Sequence, residues 1–345
     1  MAGARLGWML AVAASGMTPS IVDAQVAVPA FTMPPSDQLS PEALVILKRM
    51  DAATAPAEIG GNLPKQRAFY QQFNDDRLAE MRRRFRTVVR HETIGGVAVD
   101  VVEPADGVSP ANRDRVLVNA HGGAFLWGAG SGALVEAIPI AATMRVRVVT
   151  VDYRLAPEYH YPAASEDMMS VYLALLETYR PEAIGLYGCS AGGALVAQTA
   201  AALHRAKRPM PGAIGTFCST GAPYTGDSLV LAGPFSGEKP ATTRPVSPYL
   251  AGVPSSDERA YPLLSDTETR AMPPTLLLAG GRDFAASTLT LAHRRLAAGG
   301  VPSELYLFDG LPHAFFMWPD MPESMEAFRL IAGFFDRHLA HGNPK

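Results

Sequence analysis

From residue 96 onward, short apolar runs alternate with longer amphipathic stretches. GVAVDVVEP alternates apolar and polar positions as a strand does, and DRVLVNAHGG is a short apolar run that ends in glycines. VRVVTVDYR is rich in β-branched residues, and EAIGLYG, GAIGTFCS, PTLLLAGG and SELYLFDG repeat the theme. Between these runs the pattern predicts helices over roughly 131–144, 163–179, 191–205, 286–299 and 322–340. Apolar strands that alternate with amphipathic helices predict an α/β chain, with a mostly parallel central sheet covered by helices on both faces. Right-handed crossovers set its hand, and ligands in such sheets bind beyond the C-terminal ends of the strands.

The first part of the chain has a different pattern. Residues 25–37 are rich in proline and form a loose arm. From Pro41 to about Arg86 the spacing is helical. Ser40 is placed as an N-cap with Pro41 at the first helical position, and Phe69, Tyr70, Phe73 and Leu78 recur at helical intervals farther on. Residues 25–86 are therefore expected to form an arm and a helical cap, and 87–345 the main α/β domain. At the N-terminus, Arg5 precedes an apolar stretch from Leu6 to Ala14, then Gly16 and Pro19, then small or medium residues before Gln25. This layout predicts a signal peptide over 1–24 and an exported protein, or a cytoplasmic one if the segment is not a signal. The apolar stretch is too short to span a bilayer, and no later run reaches the roughly 18 apolar residues a membrane helix needs.

Composition narrows the function classes. The chain has 345 residues, 48 % hydrophobic content and a net charge of −3. It has no long basic run, so nucleic acid is not an expected partner. The short cluster Arg82, Arg83, Arg84 and Arg86 reads as the solvated face of a helix. Two cysteines, Cys189 and Cys218, are too few for a cysteine-rich zinc site or a disulfide scaffold. No His, Glu and Asp cluster has metal-ligand spacing and G-x-G-x-x-G is absent, so no metal and no cofactor is implied.

Four segments fall at predicted strand ends and carry reactive chemistry: HGGAFLWG (121–128), YGCSAGG (187–193), AGGRDFAAS with Asp283, and FDGLPHAFF with His313. Ser190 sits at the centre of a G-x-S-x-G pattern between Gly188 and Gly192. A serine hydroxyl needs a base to become a nucleophile. His313 can take the Ser190 proton and return it to the leaving group, with Asp283 holding the imidazole tautomer. A tetrahedral intermediate needs backbone N–H donors, for which Gly122, Gly123 and Ala191 are the candidates. VDYRLAPEYHYPAASED (151–167) and YPLLSDTETRAMPPTLLLAGG (261–281) complete an ordered set of blocks. On these blocks, from about residue 85 to the C-terminus, the sequence resembles the hormone-sensitive-lipase-like branch of the α/β-hydrolase fold, the bacterial family IV esterases. The resemblance implies a cofactor-independent serine carboxylesterase acting on a small-molecule ester.

The chain departs from the family pattern in three places. Cys189 stands where the family usually has Asp, Ala124 replaces the third glycine of HGGG, and the residues after Asp283 differ from the usual D-P-L-x-D run. The HGGG loop is the part that the resemblance links to acceptance of bulky esters. Cys189 is expected to be a small buried residue pointing away from His313, with pairing to Cys218 as the alternative and a catalytic thiol as the least favoured one. His121 is expected to anchor its loop, and Asp152, Arg154 and Glu158 to form an ion-pair network that supports it. Phe125, Trp127, Phe315, Phe69 and Phe73 are the candidate pocket residues, and their apolar character predicts a small, uncharged, short-acyl ester or a lactone. An amidase or deacetylase on the same triad is the alternative enzyme. A binding protein on a hydrolase scaffold is the alternative of another class, disfavoured because Ser, Asp and His are all present. A homodimer is compatible with such folds.

Overall fold

The computed structural model describes residues 29, 31–235, 240 and 247–341. The expected signal peptide lies outside the described residues. The element order is α1 (Pro41–Ala52), α2 (Leu63–Arg84), β1 (Thr87–Ile94), β2 (Val97–Pro104), β3 (Val116–Ala120), α3 (Ser131–Met144), β4 (Arg147–Val151), α4 (Ala163–Leu175), β5 (Ile184–Cys189), α5 (Ala191–Arg205), β6 (Ala213–Phe217), α6 (Asp227–Phe235), α7 (Asp266–Arg270), β7 (Thr275–Gly280), α8 (Ala286–Ala298), β8 (Ser303–Phe308) and α9 (Pro322–His338). The eight strands form one sheet in the order β1-β2-β4-β3-β5-β6-β7-β8. β1 pairs antiparallel with β2, and β2 antiparallel with β4, while the rest of the sheet is parallel. The expected mostly parallel sheet flanked by helices is what the chain forms.

β3, β5, β6 and β7 are buried along their whole length. Alternation assigns their side chains to two cores. Val116, Val118 and Ala120 of β3, with Ile184 and Leu186 of β5, face a core shared with α4, α5 and α8. Leu117, Tyr187 and Cys189 face the opposite core, with residues of α1, α2, α3 and α9. Continuous apolar runs are therefore two-sided strands, as a helix-covered parallel sheet requires.

β1 is an edge strand, most of whose residues are exposed, and its TVVRHETI sequence carries no strong apolar alternation. The hairpin it forms with β2 was not separately expected. The Ser40 hydroxyl caps α1 by accepting from Ala43 N at 3.1 Å, and it donates to Glu323 Oε2 at 2.9 Å. That contact joins the start of α1 to the start of α9. Arg82, Arg83, Arg84 and Arg86 are all exposed, as expected of a solvated face.

The strand order places the chemistry. β3 is followed by a crossover to β4 on one side, while β5 returns to the other side of β3. The crevice between the C-terminal ends of β3 and β5 is the switch point of the sheet. The HGGA loop leaves β3 and the G-x-S-x-G turn leaves β5 at that point. No helix among the described residues is long and apolar enough to cross a membrane.

Candidate active site

Ser190 occupies a sharp turn between β5 and α5, with φ 56° and ψ −121°. This conformation is sparsely populated by residues other than glycine and costs about 1–3 kcal/mol. The surroundings hold it there. Ser190 N donates to Phe217 O at 2.8 Å. A Cβ on Gly192 would lie 1.8 Å from Ala120 O, and one on Gly188 would lie 2.3 Å from the same atom. Side chains are excluded at both positions because β3 and the first turn of α5 press on the elbow.

The loop after β7 carries Asp283, 1 % exposed, and the loop after β8 carries His313. His313 Nδ1 lies 2.9 Å from Asp283 Oδ1, which also accepts from Ala285 N at 2.9 Å. Phe284 stacks on the His313 ring at 4.4 Å between centroids. Ser190 and His313 line one cavity of about 410 Å³. Ser190 also lines a second cavity of about 280 Å³ on its other side, bounded by Phe125, Ala194, Ala222, Tyr224 and Leu250 among others.

Both cysteines are buried and free. Burial pushes the Cys189 thiol well up from its usual range, helped by Cys218, Glu136 and Asp283 nearby. A thiol so held is protonated near neutral pH and is a poor nucleophile.

The HGGA loop is held in an unusual conformation. Gly123 has φ 114°, and Ala124 and Phe125 follow at φ 55° and 62°. A Cβ on Gly123 would strike Trp127 O at 2.1 Å. His121 anchors the loop: its Nδ1 donates to Gly122 O at 2.7 Å, and its ring stacks on Tyr153 at 4.2 Å. Burial pushes the His121 pKa down to about 4, so the ring is neutral at neutral pH. Tyr153 donates its hydroxyl to His121 O at 2.7 Å.

The expected ion-pair network is not the one formed. Arg154 turns to Asp167 and Glu166 on α4. Glu158 instead pairs with Arg67 of α2 at 2.7 Å, and Asp152 joins neither pair among the described residues. Arg67 donates from Nε to Leu126 O at 2.8 Å and from Nη2 to Ala156 O at 2.9 Å. The loop is thus clamped by a helix far away in sequence, a contact that local spacing cannot reveal. Glu158 is about half exposed and is held by that clamp.

The candidate pocket residues separate. Trp127 and Phe73 line the larger cavity with Tyr70, which stacks on Trp127 at 4.2 Å, and Phe125 lines the smaller one. Phe315 is 0 % exposed and packs against Phe308 and Phe316 in the core. Phe69 meets Tyr70 edge-on at 5.2 Å and lines neither cavity. Both are corrections to the expected pocket. In a helix, angular position around the axis decides the facing, about 100° per residue, and Phe69 falls one residue off the stripe that Tyr70, Phe73 and Asn74 turn toward the site. Asn74, Phe284, Met317, Trp318 and Glu136 also line the larger cavity and were not anticipated.

Glu136, on α3, is 6 % exposed. Its Oε1 accepts from Gly122 N at 2.7 Å, and its Oε2 from Asn119 Nδ2 at 3.2 Å and Cys189 N at 3.3 Å. Burial raises its pKa to about 7, against the lowering effect of those donors and of His313. The position where the resembled esterases carry Asp holds a thiol here, and the carboxyl that reaches the elbow backbone comes from α3. Gly122 N, one of the three expected oxyanion donors, is engaged by that carboxyl. Among the described residues, no acceptor takes Gly123 N or Ala191 N.

Residues 117–317 match the family model described as the alpha/beta hydrolase fold. The chain belongs to the α/β-hydrolases. Esterase LipU of Mycobacterium tuberculosis is 32 % identical over 245 residues, covering 67 % of this chain and 80 % of that protein. An acetyl-hydrolase of Streptomyces hygroscopicus is 26 % identical over 247 residues, covering 69 % and 81 %. The crystal structure of an esterase E25 superposes with a TM-score of 0.78 at 28 % identity, covering 92 % of this chain and 100 % of that one. The crystal structure of an esterase from the bacterial hormone-sensitive lipase family superposes with a TM-score of 0.74 at 27 % identity, covering 87 % and 99 %. The chain is a carboxylic ester hydrolase of the hormone-sensitive-lipase-like branch, as the ordered blocks predicted. In this α/β-hydrolase both the turn that presents Ser190 and the loop that faces it sit at the switch point of the sheet.

Proposed function

We propose that this hydrolase cleaves small, short-acyl carboxylic esters, lactones included, through an acyl-enzyme on Ser190. The observation that carries the proposal is the meeting in one cavity of a strained, elbow-borne Ser190 with His313, whose far nitrogen is 2.9 Å from the buried Asp283. His313 removes the Ser190 proton as the hydroxyl attacks the ester carbonyl. Asp283 keeps the imidazole in the tautomer that presents Nε2 to the serine and stabilises the imidazolium that forms. Gly123 N–H and Ala191 N–H take the oxyanion, the second aided by the positive end of α5. The tetrahedral intermediate collapses, the alkoxide leaves with the proton from His313, and water then attacks the acyl-enzyme with His313 again as base.

The leaving alkoxide must receive its proton from His313, which lines the larger cavity and not the smaller one. The alcohol part therefore faces the larger cavity, and the acyl part the smaller cavity of about 280 Å³. Gln198, Tyr261 and Ala260 bound that space, which favours short acyl groups. The acetyl-hydrolase among the relatives acts, by its name, on such a group.

The test is hydrolysis of p-nitrophenyl acetate, butyrate and decanoate by the wild type, Ser190→Ala and Cys189→Ala. Turnover by the wild type that favours the short esters, a loss of about 10³-fold or more in Ser190→Ala, and a working Cys189→Ala are expected. A folded Cys189→Ala enzyme that is dead, or a wild type inert on all three, overturns the assignment.

A further inference from the structure

Glu136 is the one charged residue of α3, in the sequence SGALVEAIPIAATM, and the triad chemistry above does not use it. Its hydrogen-bond partners, unlike its burial, suit a carboxylate. The three groups bonded to its oxygens, Gly122 N, Asn119 Nδ2 and Cys189 N, are all donors. The orientation of the Asn119 amide is set, because its Oδ1 accepts from the Thr150 hydroxyl at 2.7 Å and so turns the NH₂ group to Glu136. Tyr187 fixes the helix at the same place by donating its hydroxyl to Glu136 O at 3.2 Å. Among the described residues no Arg or Lys pairs with the carboxyl. The titratable groups that face it are His313 from the loop after β8, Tyr153 from the segment after β4, and Tyr187 and the Cys189 thiol from β5.

These three donors belong to three parts that must keep register. Asn119 is on β3, Gly122 precedes the oxyanion donor Gly123, and Cys189 precedes the nucleophile Ser190. One carboxyl spans the crevice between them. We propose that Glu136 is a positioning residue whose ionised carboxylate ties the oxyanion loop to the nucleophile elbow, and that ester hydrolysis requires it ionised. A carboxylate is acceptor-only and can satisfy all three donors, whereas a protonated carboxyl presents an O–H toward groups that are themselves donors. Protonation therefore loosens the tie between Gly123 N–H and Ser190 Oγ. A misplacement of about 1 Å at such a site costs on the order of 10²-fold in rate. Burial holds the Glu136 pKa at about 7, which brings this protonation into the near-neutral range.

This inference rests on the proposed esterase reaction. The experiment is the pH profile of kcat/KM on p-nitrophenyl acetate, over the range in which circular dichroism shows the fold unchanged. In the wild type, loss of activity on the acid side needs two protonations, His313 and Glu136. The slope of log kcat/KM against pH is expected to exceed one and approach two. In Glu136→Gln only His313 remains, so the slope falls to one. The plateau also drops by about 10²-fold. A wild-type slope of one overturns the proposal whether or not the variant folds, and so does a folded Glu136→Gln enzyme whose acid limb superimposes on that of the wild type. A wild type inert on every ester sinks the esterase reading as well. An active wild type with a single-proton limb sinks only the role of Glu136.

Discussion

At the scale of single residues, the site depends on groups held where their chemistry is forced. Asp283 shows this. Its Oδ1 accepts from both His313 Nδ1 and Ala285 N, while its Oδ2 is buried with no hydrogen-bond partner among the described residues. The sulfur of Cys218 shares the space, with ligand atoms of Cys218, Asp283 and His313 all within 4.8 Å of one another. The acid is thus aimed at one imidazole nitrogen through one oxygen. Asp283→Asn keeps the shape but can present an NH₂ group to Nδ1 and stabilise the wrong tautomer. The expected result is a fall of about 10⁴-fold in kcat with KM little changed, read by steady-state kinetics on p-nitrophenyl acetate. A loss of less than tenfold would show that Asp283 is not the partner His313 needs.

At the scale of elements, α5 connects Ser190, the proposed nucleophile, to the smaller cavity, the proposed acyl space. Its first residue, Ala191, carries one of the N–H groups proposed to take the oxyanion, and one turn later Ala194 lines the smaller cavity. Ala194→Leu fills part of about 280 Å³ without replacing Ser190, Asp283 or His313. It is expected to leave acetate hydrolysis nearly unchanged and to lower kcat/KM on butyrate by about 10- to 100-fold, the equivalent of about 1–3 kcal/mol of overpacking. Equal losses on both esters would place the acyl group elsewhere. What could be read from the chain also sorts by element. α3 and α5 match their predicted spans, because long amphipathic stretches between apolar runs carry a strong periodic signal. β1 lacked one, being an edge strand exposed on both faces, with Arg90, His91 and Glu92 all exposed in a row. Ser190, Asp283 and His313, the proposed triad, stand at strand ends within short motifs, so the sequence singled them out. Arg67 and Glu136 act over 91 and 53 positions of chain, and only folding brings them to Glu158 and Cys189. One local sign did exist for Glu136: a single acid inside an apolar helix must be paired or neutralised if that helix is buried.

At the scale of the whole molecule, two buried titratable groups beside the oxyanion loop oppose each other in the pH dependence of stability. His121 has its pKa pushed from 6.5 down to about 4 by burial. Its contribution is present above about pH 6.5 and is lost as pH falls toward 4, since the unfolded chain then binds a proton the folded one refuses. Glu136 has its pKa pushed from 4.5 up to about 7. Its contribution is present below about pH 4.5 and is lost as pH rises through 7, since the folded chain holds a proton the unfolded one releases. Between about pH 4.5 and 6.5 the two slopes have opposite sign and similar size, so together they leave stability nearly flat. Glu136→Gln deletes one of them. The variant is then expected to lose on the order of 3 kcal/mol relative to the wild type on going from about pH 6.5 to about 4.5, two pH units at about 1.4 kcal/mol each. Urea unfolding at a series of pH values measures this directly, and parallel curves for the two proteins would mean that Glu136 is not held protonated in the fold. The same carboxyl would then link two demands. Folding favours its neutral form, while the proposed register of loop and elbow needs the ionised one, so activity would be drawn from the less stable protonation state of the site.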